Sequence, residues 1–398
     1  MLKHLTLAAA LFVAACATAP PPAAPPPPAP VPVQVPSQGP VIGSPQPVLG
    51  FDVLPGWSTA PIAPGVLAFS RSCGKIAARP DNAPLADAAL WAGTVQEWRE
   101  ACEAMTVIQD EASARALMEA LFVPVEIVDP EDKPRFTGYF EPSIEARFRP
   151  EGVFTAPVPG PPSDLVQGAN GPLQRLSNGR TRPYPPRAEI VPEPSKIIGY
   201  AHPADVFFLQ IQGSGRLNFP DGSAVRAAYH AHNGQPFQST ANWLIRNGKI
   251  SRGEASMQGI RAWMDRVSAA EARRAMNANP RYVFFDAKPI GDPSLGPVGA
   301  QNIPLTPFGS MAVDTGLHAL GVPFFVQTTA PGLGGDWSGL LIAQDTGGAI
   351  KGPVRGDIFF GTGFDAGQRA GTMNAPGRKW ALLPRAVAER LRSTEPGV

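Results

Sequence analysis

Two aspartates in the C-terminal part of the chain have the spacing of a carboxylate pair that could do chemistry. Asp345 and Asp357 flank a glycine-rich turn in the stretch DTGGAIKGPVRGDIFFGTG, 345–363. Each is expected at a strand end, where a loop can present a carboxylate to a groove. A carboxylate in a partly apolar site can hold a raised pKa and serve as general acid and then as general base. Aspartates beside glycines also cap turns, so the stretch alone leaves a structural role open.

The residues around this pair add to the same hypothesis. In a strand, Ile358 and Phe360 lie on one face and Phe359 lies on the other, which gives Asp357 apolar neighbours. Lys351 lies between the two aspartates in sequence and is expected to position the loop or to contact a sugar.

Two further polar motifs are weaker candidates for a site. QIQGSG, 210–215, lacks the lysine and the following helix of a phosphate-binding loop, so nucleotide binding is not indicated. Gln210 and Gln212 are expected on one face of a strand, where a hydrogen-bonding role and a position at a barrel rim both remain open. In YHAHNG, His230 and His232 are expected on the same face of a strand, but no third ligand lies nearby, which favours surface histidines over a metal site.

The elements that must position these residues are mainly strands. Apolar residues at helical spacing predict amphipathic helices over 84–105 and 111–122, with further helices at 256–266, at 269–276 and near the C-terminal end. The predicted strands lie in 135–150, in 205–234 around GSG and PDG turns, and in the segments YVFFDA, SMAVDT, VPFFVQTT, GLLIAQDT, DIFFGTG and KWALLP. This order predicts a mainly β fold with helical decoration and excludes the regular βαβ alternation of a doubly wound fold.

The N-terminal segment predicts export. An apolar run after one lysine is typical of a signal peptide, and VAAC resembles the lipobox of bacterial lipoproteins, in which Cys16 would be lipidated. An ordinary signal peptide remains the alternative. The absence of an aspartate after Cys16 favours the outer membrane over the inner membrane. The Pro- and Ala-rich residues 17–50 predict an extended tether.

Composition and the remaining cysteines narrow the function classes. The net charge is +1 and only 17% of the residues are charged, without a basic block, so a nucleic-acid partner is not indicated. Cys73 and Cys102 could form a disulfide in an oxidising compartment, or they could be two separate buried thiols. Their spacing does not fit a zinc site.

Five motifs in order resemble one family. FTGYFEP, DVFFLQIQGSG, AYHAHNG, SMAVDTG and DTGGAIKGPVRGDIFFGTG are similar to stretches of the MltA family of membrane-bound lytic murein transglycosylases. The similarity covers the chain from about residue 50 to residue 385 and agrees with the predicted lipoprotein signal peptide and lipobox at 1–16. It implies a double-psi β-barrel formed by 51–140 and 300–398, a second β-domain inserted at 141–299, and a groove between them that binds glycan strands of peptidoglycan.

The resemblance also assigns roles to residues. It places the catalytic acid at Asp357 and a second aspartate close to the site at Asp345, and it implies no metal and no cofactor. The substrate-binding candidates are Thr137, Gly138, Tyr139, Gln212, Gly213, Ser214, Asp314 and Lys351.

The implied reaction is cleavage of the bond between N-acetylmuramic acid and N-acetylglucosamine, with closure of a 1,6-anhydro ring by the C6 hydroxyl. A hydrolase of the same bond and a non-catalytic wall-binding lipoprotein remain alternatives, as does a structural tether between membrane and wall. The implied location is the periplasmic face of the outer membrane, where cell-wall synthases or amidases could be partners.

Overall fold

The computed structural model describes residues 45–47, 50–105, 110–169 and 171–393. The expected signal peptide, lipobox and most of the tether lie outside the described residues. The helices are α1 (Ala63–Ala77), α2 (Val95–Ala104), α3 (Glu111–Leu121), α4 (Pro203–Gln212), α5 (Thr240–Arg246), α6 (Met257–Arg266), α7 (Ala269–Asn277), α8 (Phe364–Ala370) and α9 (Arg385–Ser393). The strands are β1 (Pro45–Pro47), β2 (Phe122–Ile127), β3 (Arg135–Glu141), β4 (Ser143–Glu145), β5 (Ala156–Pro159), β6 (Leu165–Gly168), β7 (Gly171–Arg175), β8 (Thr181–Pro183), β9 (Ile197–Ala201), β10 (Gly215–Asn218), β11 (Ala224–His232), β12 (Val283–Pro289), β13 (Ser310–Ala312), β14 (Pro323–Ala330), β15 (Gly335–Asp345), β16 (Arg355–Thr362), β17 (Asn374–Ala375) and β18 (Gly377–Pro384).

A nine-stranded sheet, called here the central sheet, is formed by strands from the two ends of the described chain. Its order is β1-β2-β18-β14-β15-β13-β16-β3-β17. Most neighbours are antiparallel, but β13 is parallel to β15 and β16 is parallel to β3. The mainly β fold with added helices is confirmed. Among the described residues, the strand pairings give the central sheet this linear order, and no pairing between its edge strands β1 and β17 closes it into a barrel.

The segment between β3 and β13 forms smaller sheets. The largest, called here the insert sheet, has the order β12-β11-β10-β4, and two further sheets pair β5 with β9 and order β6-β7-β8. The expected PDG turn connects β10 to β11. Strand β4 follows β3 after a single residue, Pro142, so the chain passes directly from the central sheet into the insert sheet.

The first three helices pack on the central sheet over an apolar core. Val66, Phe69 and Trp98 are fully buried there. Gly65 lets α1 approach the sheet closely, because a Cβ at this position would lie 2.3 Å from the backbone oxygen of Leu340. Cys73 in α1 and Cys102 in α2 form a disulfide with a Cα–Cα distance of 5.1 Å.

The strand predicted at the start of 205–234 is wrong, because residues 203–212 form helix α4. Pro203 occupies the first helical turn, His202 accepts a hydrogen bond from the backbone N–H of Ala204, and Gly213 ends the helix with φ of 87°. Apolar side chains of α4 enter two separate cores, Val206 in one and Phe207 in the other. Because α4 is buried on both sides, it lacks the polar face from which a helical period is recognised. Its sequence therefore predicted a strand.

The helix predicted over 84–105 is shorter than expected. It begins only at Val95, where Thr94 and Glu97 form a capping box, and Gly93 before it has φ of 83°. The helices predicted at 111–122, 256–266 and 269–276 are confirmed within two residues at each end. Among the described helices, none has both the length and the apolar character that a membrane span requires.

Candidate active site

A short central strand brings the two aspartates together. Strand β13 lies between β15 and β16, and its residue Ala312 is in register with Asp345 on one side and with Asp357 on the other. The alignment with Asp345 follows a register shift after Met311. Asp345 is the last residue of β15 and Asp357 is the third residue of β16. The pair is therefore assembled across neighbouring strands, although 11 residues separate the two positions along the chain.

Asp357 is a half-buried carboxylate with one close hydroxyl partner. Thr137, its register partner on β3, donates a hydrogen bond from Oγ1 to Asp357 Oδ1 over 2.5 Å. Burial raises the pKa of Asp357 above the ordinary value for an aspartate, the Thr137 bond and nearby Arg355 offset part of this rise, and the charge of Asp345 adds to it. The carboxyl group is thus disposed to hold a proton and still be reachable from solvent.

Arg355 organises the hydroxyl that contacts Asp357. Its Nη2 donates to Thr137 Oγ1 over 2.8 Å, so the proton of this hydroxyl is left for Asp357. Arg355 is buried, and its backbone oxygen accepts a hydrogen bond from Lys379 Nζ over 3.3 Å. Lys379 is fully buried beside His318, and burial lowers its pKa to about 7. Arg355, Lys379 and His318 thus form a chain of contacts that leads away from Thr137 into the protein interior.

Asp345 is held by different partners. Tyr139 donates from its hydroxyl to Asp345 Oδ2 over 2.9 Å, and the backbone N–H of Ala300 donates to Oδ1 over 3.0 Å. Burial raises the pKa of Asp345, and hydrogen bonds from the backbone of Thr346, from Ala300 and from Tyr139 lower it in part. Because successive side chains alternate along a strand, Thr137 and Tyr139 point from the same face of β3, one toward each aspartate.

Apolar packing closes one side of the pair. The ring of Phe359 lies 5.3 Å from the ring of Tyr139, measured between centroids. Gly296 lies directly against Phe359, since a Cβ there would be 2.3 Å from the ring. Gly138 is equally constrained, because its Cβ would come within 2.6 Å of Phe360. The glycine of the TGY motif is thus explained by packing on the opposite face of β3.

Asp314 and Lys351 form an ion pair with each other. Lys351 Nζ lies 3.1 Å from Asp314 Oδ1, and the backbone N–H groups of Gly352 and Gly316 also donate to this carboxylate. Burial alone would raise the pKa of Asp314, but the bonds from Gly352, Lys351 and Gly316 lower it overall. The pair ties the glycine-rich loop to the end of β13. Their substrate-binding role remains a prediction.

The QGSG candidates lie at the end of a helix. Gln212 is the last residue of α4, Gly213 is its left-handed cap, and Ser214 is buried just before β10. The expectation that Gln210 and Gln212 share one face of a strand is wrong. Gln210 is buried and accepts a hydrogen bond from Arg187, which leaves Gln212 as the half-buried member of the two.

The two histidines have separate partners. A β-bulge between Tyr229 and Ala231 interrupts the alternation on which the same-face prediction depended. His230 Nδ1 lies 3.1 Å from Asp286 Oδ2, whereas His232 Nδ1 accepts a hydrogen bond from the backbone of Gly234. Across the described residues, no three His, Cys, Asp or Glu side chains form a group that could hold a metal ion.

The sequence analysis assigned no role to several residues of this region. Arg355 was identifiable, since it precedes Asp357 by two positions in a strand and must share its face. Glu141 follows Tyr139 by two positions in β3 and shares its face for the same reason. Lys379 and His318 carried no local signal, because only the position of β18 within the central sheet, between β2 and β14, brings Lys379 to Arg355.

Two protein-family models and several known proteins match this chain. Residues 135–286 match the MltA specific insert domain and residues 309–383 match the 3D domain. The membrane-bound lytic murein transglycosylase A of Escherichia coli K12 is 35% identical over 259 residues, which are 62% of this chain and 65% of that protein. The chain thus spans slightly less than two thirds of the length of this curated relative.

Solved structures extend the likeness over most of the chain. A membrane-bound lytic murein transglycosylase from Agrobacterium tumefaciens is 30% identical with a TM-score of 0.74, covering 88% of this chain and 100% of that one. The Escherichia coli MltA with bound chitohexaose is 27% identical with a TM-score of 0.62, covering 87% and 96%. The chain therefore belongs to the MltA family of membrane-bound lytic murein transglycosylases.

Proposed function

We propose that this protein is a peptidoglycan lytic transglycosylase in which Asp357 is the single general acid and base. The observation that carries the proposal is the environment of Asp357. Its carboxyl group is half-buried, burial raises its pKa, and the hydroxyl of Thr137 fixes its orientation. The proposed substrate is the glycan strand of peptidoglycan. Support comes from the relatives that are named lytic murein transglycosylases and from the chitohexaose bound to the similar Escherichia coli protein.

The proposed reaction begins with protonated Asp357. It gives its proton to the oxygen of the glycosidic bond between N-acetylmuramic acid and N-acetylglucosamine as that bond breaks, through a transition state with oxocarbenium character. The carboxylate then takes the proton of the C6 hydroxyl of the same muramic residue, and the C6 oxygen bonds to C1 to close a 1,6-anhydro ring. Asp357 is protonated again at the end. An intramolecular nucleophile starts with a high effective concentration, so no second carboxylate is needed to activate water.

Asp345 has a supporting role in this proposal. Its charge helps to raise the pKa of Asp357, which favours the proton-donating form at the start of the reaction. An ionised Asp345 would also stabilise positive charge that develops on the sugar. Tyr139 and the backbone N–H of Ala300 fix its orientation.

The proposed domain division follows the sheets. Residues 51–140 and 300–398 form one domain and 141–299 form the other. In support, the central sheet is built only from strands outside 141–299, apart from the last residue of β3, and the smaller sheets are built only from strands inside it. The glycan strand is proposed to lie in a groove between these domains, along Thr137, Tyr139 and the QGSG turn.

Membrane association is part of the proposal. The relatives carry the description membrane-bound, and a lipidated Cys16 with the tether after it would hold the enzyme at the periplasmic face of the outer membrane. Cell-wall synthases or amidases are proposed partners at that location.

The test is the chemistry of the product. Purified full-length chain is incubated with peptidoglycan in the presence of EDTA, and the released muropeptides are measured by mass spectrometry. The proposal expects muropeptides lighter by one water than hydrolysed ones, since the 1,6-anhydro ring forms without water. An Asp357→Ala variant serves as the matched control.

The other outcomes identify the alternatives. Products with reducing ends would show a hydrolase of the same bond and overturn the transglycosylase proposal. Binding of peptidoglycan without any released product would show a wall-binding lipoprotein, in which Asp345 and Asp357 are structural residues.

A further inference from the structure

A buried charge cluster connects the central sheet with the insert sheet. Glu141, the last residue of β3, is 1% exposed and receives Arg216 Nε on Oε2 over 2.9 Å and Arg226 Nε on Oε1 over 2.6 Å. The two arginines belong to β10 and β11 of the insert sheet. Thr362, at the end of β16, donates from Oγ1 to Glu141 Oε2 over 2.8 Å. One carboxylate thus joins β3 and β16 of the central sheet to two insert strands.

The same arginines hold the segment by which the chain returns to the central sheet. Arg216 Nη2 donates to the backbone oxygens of Pro293 and Leu295 over 2.9 and 3.0 Å, and Arg226 Nη2 also donates to Leu295 over 3.0 Å. The outward crossing, from Glu141 through Pro142 to β4, and the return crossing are therefore fastened to one cluster.

Both crossings lead directly to the two aspartates. On the outward side, Tyr139 and Thr137 lie two and four residues before Glu141, on the same face of β3. Tyr139 donates a hydrogen bond to Asp345, and Thr137 donates one to Asp357. On the return side, Leu295 is followed by Gly296, which packs on Phe359, and by Ala300, whose N–H binds Asp345.

We propose that Glu141, Arg216 and Arg226 are positioning residues of the reaction, which fix the two crossings and thereby hold Tyr139 and Ala300 against Asp345. The inference rests on the proposed function. Removing one partner of a buried ion cluster leaves an uncompensated charge, so the crossings must rearrange to reach water or another partner. A shift of about 1 Å in a catalytic group is enough to cost about 100-fold in rate.

The experiment compares three variants of the full chain. Glu141→Gln removes the central charge and keeps the side-chain shape. Thr362→Val keeps every charge and removes one hydroxyl, which donates to Glu141 and accepts from Arg216. The matched control is Glu271→Gln, which breaks an exposed ion pair with Lys249 that does not belong to the cluster. For each, the rate of anhydro-muropeptide release per folded molecule is measured across pH, with the folded fraction taken from near-ultraviolet circular dichroism. Loss of folded protein alone leaves both the rate per folded molecule and its pH profile unchanged, whereas a displaced Asp345 lowers that rate and moves the alkaline limb of the profile.

The expected result is a fall in rate of at least about tenfold and a displaced alkaline limb for Glu141→Gln. The rate of Thr362→Val should fall about threefold, since it loses two hydrogen bonds of the cluster but none of its charges. The control should match the parent protein. A folded Glu141→Gln protein with the parent's rate and pH profile would overturn the proposal. If Glu141→Gln does not fold, the proposal is tested by Thr362→Val instead. A folded Thr362→Val protein with the parent's rate and pH profile would then overturn it.

Hydrogen exchange separates this inference from the proposed function. Because Ala300 donates its N–H to Asp345, the peptide 293–300 should exchange at least about tenfold faster in Glu141→Gln than in the parent, while the control leaves it unchanged. A parent protein without anhydro products would reject the proposed function but leave this readout intact. Unchanged exchange in both Glu141→Gln and Thr362→Val would reject the positioning role, whatever the reaction is.

Discussion

Asp314 and Asp357 are aspartates of the same central sheet region, but their surroundings drive them toward opposite protonation states. Asp314 accepts two backbone N–H groups and faces the ammonium of Lys351, and its pKa is lowered. Asp357 accepts the hydroxyl of Thr137, with Arg355 beyond it and Asp345 nearby, and its pKa is raised. Burial opposes the charged form in both cases. At Asp314 the donors Gly352, Lys351 and Gly316 outweigh it, whereas at Asp357 burial dominates and Thr137 and Arg355 offset it only in part.

This comparison supports the proposed assignment of Asp357, rather than Asp314, as the acid. An aspartate that is already satisfied by three donors stabilises a loop in its ionised form. An aspartate that keeps its proton more readily, and that remains half-buried rather than enclosed by donors, is available as an acid. Sequence position does not make this distinction, because each aspartate lies in a conspicuous motif close to glycines.

The largest effect is expected from Asp357→Ala. Loss of the proposed proton donor should lower release of anhydro-muropeptides by at least about 100-fold, while binding of a soluble glycan such as chitohexaose should stay within about threefold of the parent protein. Turnover is measured by mass spectrometry and binding by calorimetry. Turnover at the parent rate would show that Asp357 is not the acid, and the comparison with Asp314 would lose its chemical meaning.

A smaller effect with a definite sign is expected from Thr137→Val. The Thr137 hydroxyl stabilises the carboxylate of Asp357 and lowers its pKa, so its removal raises that pKa further. The acid form then persists to higher pH, and the alkaline limb of kcat/KM should move upward by up to about one pH unit. A limb that moves downward or stays in place would contradict the assigned hydrogen bond.

The opposite sign is expected from Tyr139→Phe. The Tyr139 hydroxyl lowers the pKa of Asp345, so its loss leaves Asp345 neutral over a wider pH range and weakens its repulsion of Asp357. The pKa of Asp357 then falls, and the alkaline limb should move downward by about half a pH unit or less. Shifts of the same sign in Tyr139→Phe and Thr137→Val would refute the separate assignment of the two hydroxyls.

The smallest catalytic effect is expected from Asp314→Asn, which should act on stability. A group whose folded pKa is depressed contributes stability that is present above the unfolded pKa near 4 and is lost as pH falls through the folded pKa. Asp314→Asn should therefore lower the free energy of unfolding at pH 7 by about 1 kcal/mol, since one of its partners is an exposed lysine. As the pH falls below about 4, the difference from the parent should shrink. Thermal unfolding across pH measures it, and a constant difference would show that the charge of Asp314 contributes nothing.

Much of the site was predictable, because its motifs report on short-range structure. The alternation of RFTGYFE places Thr137 and Tyr139 on one face of a strand, and this face indeed contacts both aspartates. Polar residues within a doubly buried helix were not predictable in the same way. Gln210 lies in α4, between two cores, and no periodic pattern distinguishes such a helix from a strand.

The amino-acid sequence was sufficient to predict the mainly β fold class, the family, and Asp345 and Asp357 as candidate site residues. These predictions depend on strand alternation, glycine-rich turns and motif order, which can be read directly from the chain. The partners of each carboxylate, in contrast, depend on long-range packing. The register of β13 between β15 and β16 places Asp345 next to Asp357, and the position of β18 between β2 and β14 brings Lys379 to Arg355. The cluster of Glu141 with Arg216 and Arg226 was also invisible in the sequence, because the arginines lie 75 and 85 positions from Glu141 and meet it only where two sheets join.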